Sequence, residues 1–384
     1  MRYSATGIEL FCGCGGLSTG FLDAGVKVAA GFDIDRRAIE AYNYNHAHRG
    51  SRGFVINLSC ANGRELLTIA GVSKIDFLIA GPPCQPFSIV GKRLGSADQR
   101  ADMIYHFVRL VRELDPNVVL FENVPNLSRI DGGQIFDQLV SELHRQGYNV
   151  CSKILTAADF GVPQVRRRLF ALGAKERALA FPKATHGEGD LPWERLRPYV
   201  TAREALEDLP PAGDFGECSI HNHERTEHTP EMLSRLAKLE PGRREAGSFH
   251  DRLHPNRPSF TLRAGTGNFS PLRPIHYNYN RVVTVRESAR LQGFCDEFIW
   301  PDWIPRLQQY RQVGNAVPPP LAAAIARALA SQLGWRRNAR SLRGNPRNRP
   351  PAITMTDEER RESRRCRIRG ASLGASGRRS QELL

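Results

Sequence analysis

No apolar stretch in the 384 residues approaches the roughly 20 that a membrane span needs. The opening MRYSATGIELF also lacks the basic start, long apolar core and small-residue cleavage site of a secretory leader. A location inside the cell and away from membranes is expected. Cysteine is sparse: Cys12, Cys14, Cys60, Cys84, Cys151, Cys218, Cys295 and Cys366 are too few for a disulfide framework, and no Cys-x-x-Cys pair announces a zinc ribbon or redox site. Acidic residues are short too, 40 against 54 Lys and Arg, for a formal charge of +14. The surplus is uneven: residues 336 to 384 hold fourteen Arg against Asp357, Glu358, Glu359, Glu362 and Glu382, which leaves +5 on residues 1 to 335. A basic balance favours a polyanionic partner, because every phosphate neutralised releases counterions. A solvated basic extension without function is the competing reading of the tail.

What is present is the composition of a globular protein, 24% charged and 41% hydrophobic, with no internal repeat. β-type runs alternate with helical ones from the start: IELF (8 to 11), VKVAAGFD (26 to 33), a helix over 35 to 46, IDFLIA (75 to 80), a helix over 103 to 114, and NVVLFEN (117 to 123). A helix over 134 to 147 and strands at 149 to 157 and 168 to 174 continue the pattern. This order predicts an α/β fold, a mostly parallel sheet with helices on both faces. Residues 181 to 280 carry scattered Pro, Gly, His and Arg with short periodic pieces at 201 to 209 and 230 to 239, and are expected to form a smaller, irregular domain. Regularity returns over 281 to 335, where the Pro-started helix 318 to 334 is expected to pack back on the first domain, 1 to 180. The tail, 336 to 384, is Arg-rich, poor in apolar residues and expected to be disordered.

Four stretches can carry chemistry. FCGCGGLSTGF (11 to 21) is a Gly-rich turn between a strand and a helix, where backbone can approach a cofactor. It fits the dinucleotide fingerprint poorly, since Gly-x-Gly-x-x-Gly read from Gly13 puts Ser18 at the last glycine, which disfavours a nicotinamide enzyme. Twenty residues on, Asp33 ends the second strand, where doubly wound folds place an acid on ribose hydroxyls; together these point to an adenosine-containing cofactor, or to a plain turn and a helix cap. Cys84 follows two prolines at the carboxyl edge of a parallel strand, a rigid place for a nucleophilic thiolate, although a lone cysteine is commonly an inert small hydrophobe. Glu122 ends the next strand at the same edge, flanked by Phe121 and Val124, where a carboxyl with a raised pKa can give a proton to a bound ring. In GVPQVRRRLF, alternation puts Gln164, Arg166 and Arg168 on one face, either a clamp for something anionic or carbonyl-rich or an ordinary basic strand face.

In order, FCGCGG, GPPCQPFS, FENV, QVRRR, RESARLQGF and GNAV resemble the motif set of the DNA (cytosine-5)-methyltransferases, bacterial modification enzymes that use S-adenosylmethionine. The matched stretches, 8 to 180 and 258 to 334, cover roughly two thirds of the chain. The resemblance implies a class I S-adenosylmethionine-dependent methyltransferase fold, Rossmann-like and mostly parallel, with a smaller target recognition domain. It implies that cytosine is flipped out of duplex DNA, that Cys84 attacks ring carbon 6, and that Glu122 holds or protonates ring nitrogen 3. Arg168 would contact the 2-carbonyl oxygen, and Arg166 the acidic groups of the site or the phosphates. For the cofactor it implies Phe11, Gly13, Gly15, Gly16 and Leu17 in the turn, Asp33 and Ile34 at ribose and adenine, Pro83 near the methyl group, and Asn315 anchoring the cofactor side. Residues 88 to 100 match a loop that closes over the flipped base, with Lys92 and Arg93 touching phosphate.

Three positions depart from the pattern. Glu9 stands for the usual Asp, Asn57 for an Asp expected on the adenine amino group, and Cys12 for a small residue. An Asn carbonyl can still accept the adenine bond, and Cys12 is expected to be structural. In the variable stretch, Arg225, Arg243, Arg244 and Arg252 are available for base readout, but no residue-to-base code can be drawn. Cys218, His221, His223 and His228 are ligand-type residues whose spacing matches no standard zinc site, so no metal is expected. A tRNA cytosine methyltransferase, a silent homologue acting as a binding module, and a nicotinamide oxidoreductase are the alternatives. The variable domain and basic balance favour duplex DNA, and the presence of Cys84 and Glu122 disfavours the silent homologue. The expected protein is a cytoplasmic, nucleoid-associated monomer, with a cognate restriction endonuclease as a further partner.

Overall fold

The computed structural model describes residues 5–83, 99–188, 196–214, 218–245, 250–264 and 273–335. Cys84, most of the expected closing loop (88–98) and the tail from 336 onward lie outside the described residues. Seven strands form one sheet: β1 (Thr6–Leu10), β2 (Lys27–Asp33), β3 (Arg52–Val55), β4 (Phe77–Ala80), β5 (Val118–Asn123), β6 (Asn149–Thr156) and β7 (Arg167–Ala174). Their order is β3-β2-β1-β4-β5-β7-β6, all parallel except β7, which runs antiparallel to both its neighbours. Ten helices are described: α1 (Gly16–Asp23), α2 (Arg36–His46), α3 (Gly63–Ala70), α4 (Gln99–Leu114), α5 (Gln134–Arg145), α6 (Ala202–Leu206), α7 (Pro230–Ala237), α8 (Val285–Gln292), α9 (Arg306–Asn315) and α10 (Pro319–Leu333).

The central strands β4 and β5 are buried along their whole length, the near-continuous apolar type that a sheet covered on both faces demands. One face carries a core of Leu66, Phe107, Leu110, Leu139 and Leu143 from α3, α4 and α5 against Leu78, Val119 and Phe121. The other face carries Leu17 and Phe21 of α1 and Leu321, Ile325 and Leu329 of α10 against Phe77, Ile79 and Leu120. The C-terminal helix therefore does fold back. It meets α1 so closely that a Cβ on Gly20 would stand 2.5 Å from Ala322 Cβ.

The third core does not respect a boundary at 280. Ala202, Leu206, Leu253 and Leu262 pack with Tyr277, Val285, Leu291, Trp300, Tyr310 and Val313, and with Cys14 and Ala41 of the first domain. Capping boxes start α6 (Thr201 with Glu204) and α8 (Thr284 with Glu287), the Thr-x-x-Glu spacing that satisfies two orphan N–H groups at once. Three elements carried no expectation from the sequence: β3, α3 and α9. β3 is a four-residue edge strand reading RGFV, too short to show a period of two.

Candidate active site at the carboxyl edge of the sheet

The turn after β1 is shaped by backbone strain and close packing together. Phe11, Gly13 and Gly15 all have positive φ, at 55°, 54° and 92°. A Cβ on Gly15 would strike His46 at 2.5 Å, and one on Gly16 would lie 2.3 Å from Val317 O, so these two glycines serve packing. Gly13 differs: a Cβ there would meet nothing within 4 Å, so its face of the turn is open. Gly13 N–H donates to Asp33 Oδ2 at 2.8 Å, and Asp35 N–H to Asp33 Oδ1 at 2.9 Å. Burial raises the Asp33 pKa above the usual carboxylate value against those bonds. Ile34 beside it is 63% exposed, an apolar surface next to an anchored carboxylate. Leu17 faces inward, into the core between α1 and α10. Asn57 is exposed, but its Oδ1 already accepts from Ser59 N–H (3.1 Å) and Ser59 Oγ (2.8 Å), so an adenine amino group would have to displace Ser59. Asn315 is exposed at the end of α9, and the residues after it, Ala316 and Val317, pack on Gly16.

Beneath the turn lies a group whose role the sequence left unread. Glu9 is fully buried, and its Oε2 accepts Ser18 N–H at 2.9 Å and, in a short contact, Ser18 Oγ. Gly15 gives α1 no side-chain cap, so Glu9 supplies from β1 the acceptor that an N-cap would have provided. Ser18 Oγ in turn lies 2.8 Å from Tyr42 OH, which is 2.7 Å from Ser51 Oγ. Burial pushes the Glu9 carboxyl up to about 8. Its only sequence signal was its replacement of an expected Asp.

Beside the turn, β4 and β5 end together. Asn123 Nδ2 donates to Pro82 O at 3.0 Å, and a Cβ on Gly81 would lie 3.1 Å from Glu122 Oε2. The segment Gly81–Pro83, with Pro83 exposed, thus runs against the Glu122 carboxyl; Cys84 follows it, outside the described residues. Glu122 is 7% exposed and pairs with Arg168, whose Nε is 3.0 Å from Oε1. Burial raises the Glu122 pKa, opposed by the Arg168 and Arg166 charges and by the Arg168 hydrogen bond. A carboxyl in this setting can hold a proton for a ring nitrogen while its neighbouring guanidinium faces a carbonyl.

Gln164, Arg166 and Arg168 do share the inward face, with Val165 49% exposed between the first two. Arg166 is fully buried and interacts electrostatically with the Glu122 carboxylate, so of its two expected partners, the acidic groups of the site or the phosphates, burial favours the first. Its Nη1 donates to Leu262 O (3.2 Å) and its Nη2 to Gly314 O (2.7 Å), while burial holds its pKa well below the usual arginine value. Gln164 Oε1 accepts Leu262 N–H at 3.1 Å, and its Nε2 donates to Leu291 O and Gln292 Oε1. Two side chains from the segment leading into β7 therefore hold both backbone polar groups of Leu262, an arrangement with no sequence signal beyond the alternation.

In the His cluster, His223 places Nδ1 2.9 Å from Thr284 Oγ1 and Nε2 2.8 Å from Pro210 O, and His228 Nε2 accepts Val282 N–H at 3.1 Å. These imidazoles, buried at His223 and half-buried at His228, work as hydrogen-bonding groups. Arg252 is also buried, donating to Leu236 O and Asn280 Oδ1, whereas Arg244 is half exposed. Among the described residues no helix is long and apolar enough to cross a membrane.

Residues 5–331 match the family of C-5 cytosine-specific DNA methylases. The chain is 36% identical over 363 residues to the Type II methyltransferase M.XorII of Xanthomonas oryzae, covering 83% of each protein. It is 34% identical over 342 residues to the Type II methyltransferase M1.HphI of Haemophilus parahaemolyticus, covering 85% of this chain and 87% of that one. Among solved structures, it is similar to a protein described as a DNA modification methyltransferase encoded within an E. coli prophage, with a TM-score of 0.71 at 28% identity over 86% of this chain and 99% of that one. The S. pombe Dnmt2 methyltransferase, at 19% identity and a TM-score of 0.62 over 86% and 99% of the two chains, shares the fold. The mostly parallel seven-stranded sheet is thus the class I S-adenosylmethionine-dependent architecture. With its carboxyl and guanidinium gathered at one sheet edge and its match running nearly end to end, the chain belongs to the C-5 cytosine-specific DNA methylases and is a DNA (cytosine-5)-methyltransferase.

Proposed function

We propose that the protein transfers a methyl group from S-adenosylmethionine to carbon 5 of a cytosine flipped out of a specific double-stranded DNA sequence. We further propose that it protects host DNA in a restriction–modification system, a reading supported by its similarity to proteins named Type II methyltransferases. The buried Glu122–Arg168 pair beside the open Gly13–Asp33 face is the observation that carries this reading. The residues fit the cofactor: Gly13 leaves open space, Asp33 offers an anchored carboxylate to ribose, and Phe11 and exposed Ile34 offer apolar surface to adenine. When bound, S-adenosylmethionine supplies an electrophilic methyl group.

This chain's residues do the rest. The Cys84 thiolate adds to ring carbon 6 while Glu122 gives its proton to ring nitrogen 3, so the ring accepts the electron pair. Arg168 holds the 2-carbonyl oxygen, and carbon 5 becomes the nucleophile. After carbon 5 is methylated, solvent water takes the carbon 5 proton, the 5,6 double bond re-forms with expulsion of Cys84 as thiolate, and nitrogen 3 returns its proton to Glu122. Arg166, with Gln164, holds the Leu262 backbone beside this edge. Residues 181–280 read the DNA, 88–100 close over the base, and the tail adds nonspecific attraction to phosphate. The enzyme acts as a monomer in the cytoplasm, on the nucleoid. Incubating purified protein with methyl-labelled S-adenosylmethionine tests the reading: label enters duplex DNA with wild type and not with Cys84→Ala. Label entering only tRNA contradicts it.

A further inference from the structure

A charged cluster outside the catalytic edge adjoins the segment clamped by Gln164 and Arg166. Arg244 pairs with Asp251 through two bonds (Nε to Oδ1 2.7 Å, Nη2 to Oδ2 3.1 Å), and Arg263 Nη2 lies 3.5 Å from the same Oδ2. The Asp251 side chain is 13% exposed, while those of Arg244 and Arg263 are 51% and 44% exposed. The carboxylate is thus set behind two guanidinium groups that face solvent. Arg263 directly follows Leu262, whose N–H and C=O are both held by side chains two and four residues before Arg168, the partner of Glu122. Its backbone is therefore fixed relative to the reacting edge.

We propose that Arg263 is a specificity-determining residue that reads a guanine of the target duplex, oriented by Asp251 with Arg244 holding that carboxylate in place. The inference rests on the DNA methyltransferase reading and adds a base to it. Guanine presents two acceptors, O6 and N7, on its major-groove edge, and a guanidinium meets them with two parallel N–H bonds. Arg244 already gives its Nε–Nη2 edge to Asp251, whereas Arg263 touches it through Nη2 alone, at long range. The carboxylate decides between base and backbone. A negative charge behind the guanidinium repels a phosphate and cancels part of the attraction, which is a cost for a backbone contact. A neutral base edge loses less to that carboxylate than a phosphate does, and it gains from a fork whose orientation is fixed before binding. Phe260, 45% exposed, lines the same recess as Asp251 and Arg263 and offers apolar surface to a base edge.

Bisulfite sequencing of host DNA carrying wild type, Arg263→Ala, Arg263→Lys or Asp251→Asn tests the inference. Wild type should protect one motif that contains a guanine besides the target cytosine. Arg263→Ala should raise methylation at sites altered only at that guanine by roughly tenfold or more relative to the intact motif. Arg263→Lys, which keeps the charge without the fork, should relax the same position, and Asp251→Asn should do so to a smaller degree. An even fall at all sites with the motif unchanged would identify a phosphate contact and overturn the proposal. So would an unchanged pattern, or full discrimination retained by Arg263→Lys. Wild type that protects no cytosine overturns the methyltransferase reading and this inference with it; a sharp wild-type motif indifferent to Arg263 overturns the inference alone.

Discussion

At the residue scale, two buried carboxyls do different work. Glu122 pairs with Arg168 and sits above the ordinary carboxylate range because burial outweighs its two arginine neighbours. In the proposed mechanism it acts as an acid, so methyl transfer should fall as pH rises through its pKa. Replacing Arg168 by Ala removes the charge that favours the ionised form. The rate should drop by about 10²-fold or more while the alkaline limb of the pH profile moves to higher pH, a shift that initial rates between pH 6 and 10 would measure. A limb that stays in place would mean that Glu122 is not the titrating group. Glu9 has no such partner, and burial takes its carboxyl up to about 8 from 4.5. Between those values the folded state keeps a proton that the unfolded chain has released. Its contribution to stability is therefore full below about 4.5 and is lost as pH rises towards 8, at about 1.4 kcal/mol per pH unit. Glu9→Gln keeps an acceptor for Ser18 N–H without the titration. Denaturant melts should show its stability gaining on wild type from pH 5 to pH 8.

At the scale of elements, the sequence reads well where periodicity is strong. The strands that place Asp33 and Glu122, and the helix that returns over α1, match expectation to within a few residues. β3, α3 and α9 escaped because a four-residue edge strand and helices of eight and ten residues give too few periods to distinguish from loops. The glycine turn could be located but not apportioned: which glycine faces open space and which meets a neighbour depends on His46, Tyr42 and Val317, distant in sequence. That division has a consequence. Gly20→Ala drives a methyl group into Ala322 and Pro319 and should lower stability by about 1–3 kcal/mol with cofactor affinity following only through folding. Gly13→Ala meets no atom, so its stability cost is the left-handed backbone alone, about 1 kcal/mol, while calorimetry should show the larger loss in S-adenosylmethionine binding. Equal losses of binding in the two variants would contradict the assignment of Gly13 to the cofactor face.

At the scale of the whole molecule, the variable segment and the catalytic sheet are joined by one short backbone bridge at Ser259 and by side chains rather than by a continuous sheet. Arg166 donates to carbonyls on two segments that are far apart in sequence, Leu262 and Gly314, and sequence alternation could place it inward without saying what it would meet. Arg166→Leu strands both carbonyls; each unsatisfied group costs about 1–3 kcal/mol, so thermal unfolding should move down by several degrees and KM for DNA should rise. An unchanged KM for DNA would mean that Leu262 does not help position the substrate. The central claim, that Cys84 carries a covalent methyl transfer to a specific cytosine, is tested most directly by bisulfite sequencing of DNA from a methylation-free host expressing wild type or Cys84→Ala. Wild type should protect cytosines within one short motif, and Cys84→Ala should protect none. Full conversion with wild type, or protection surviving in Cys84→Ala, would contradict it.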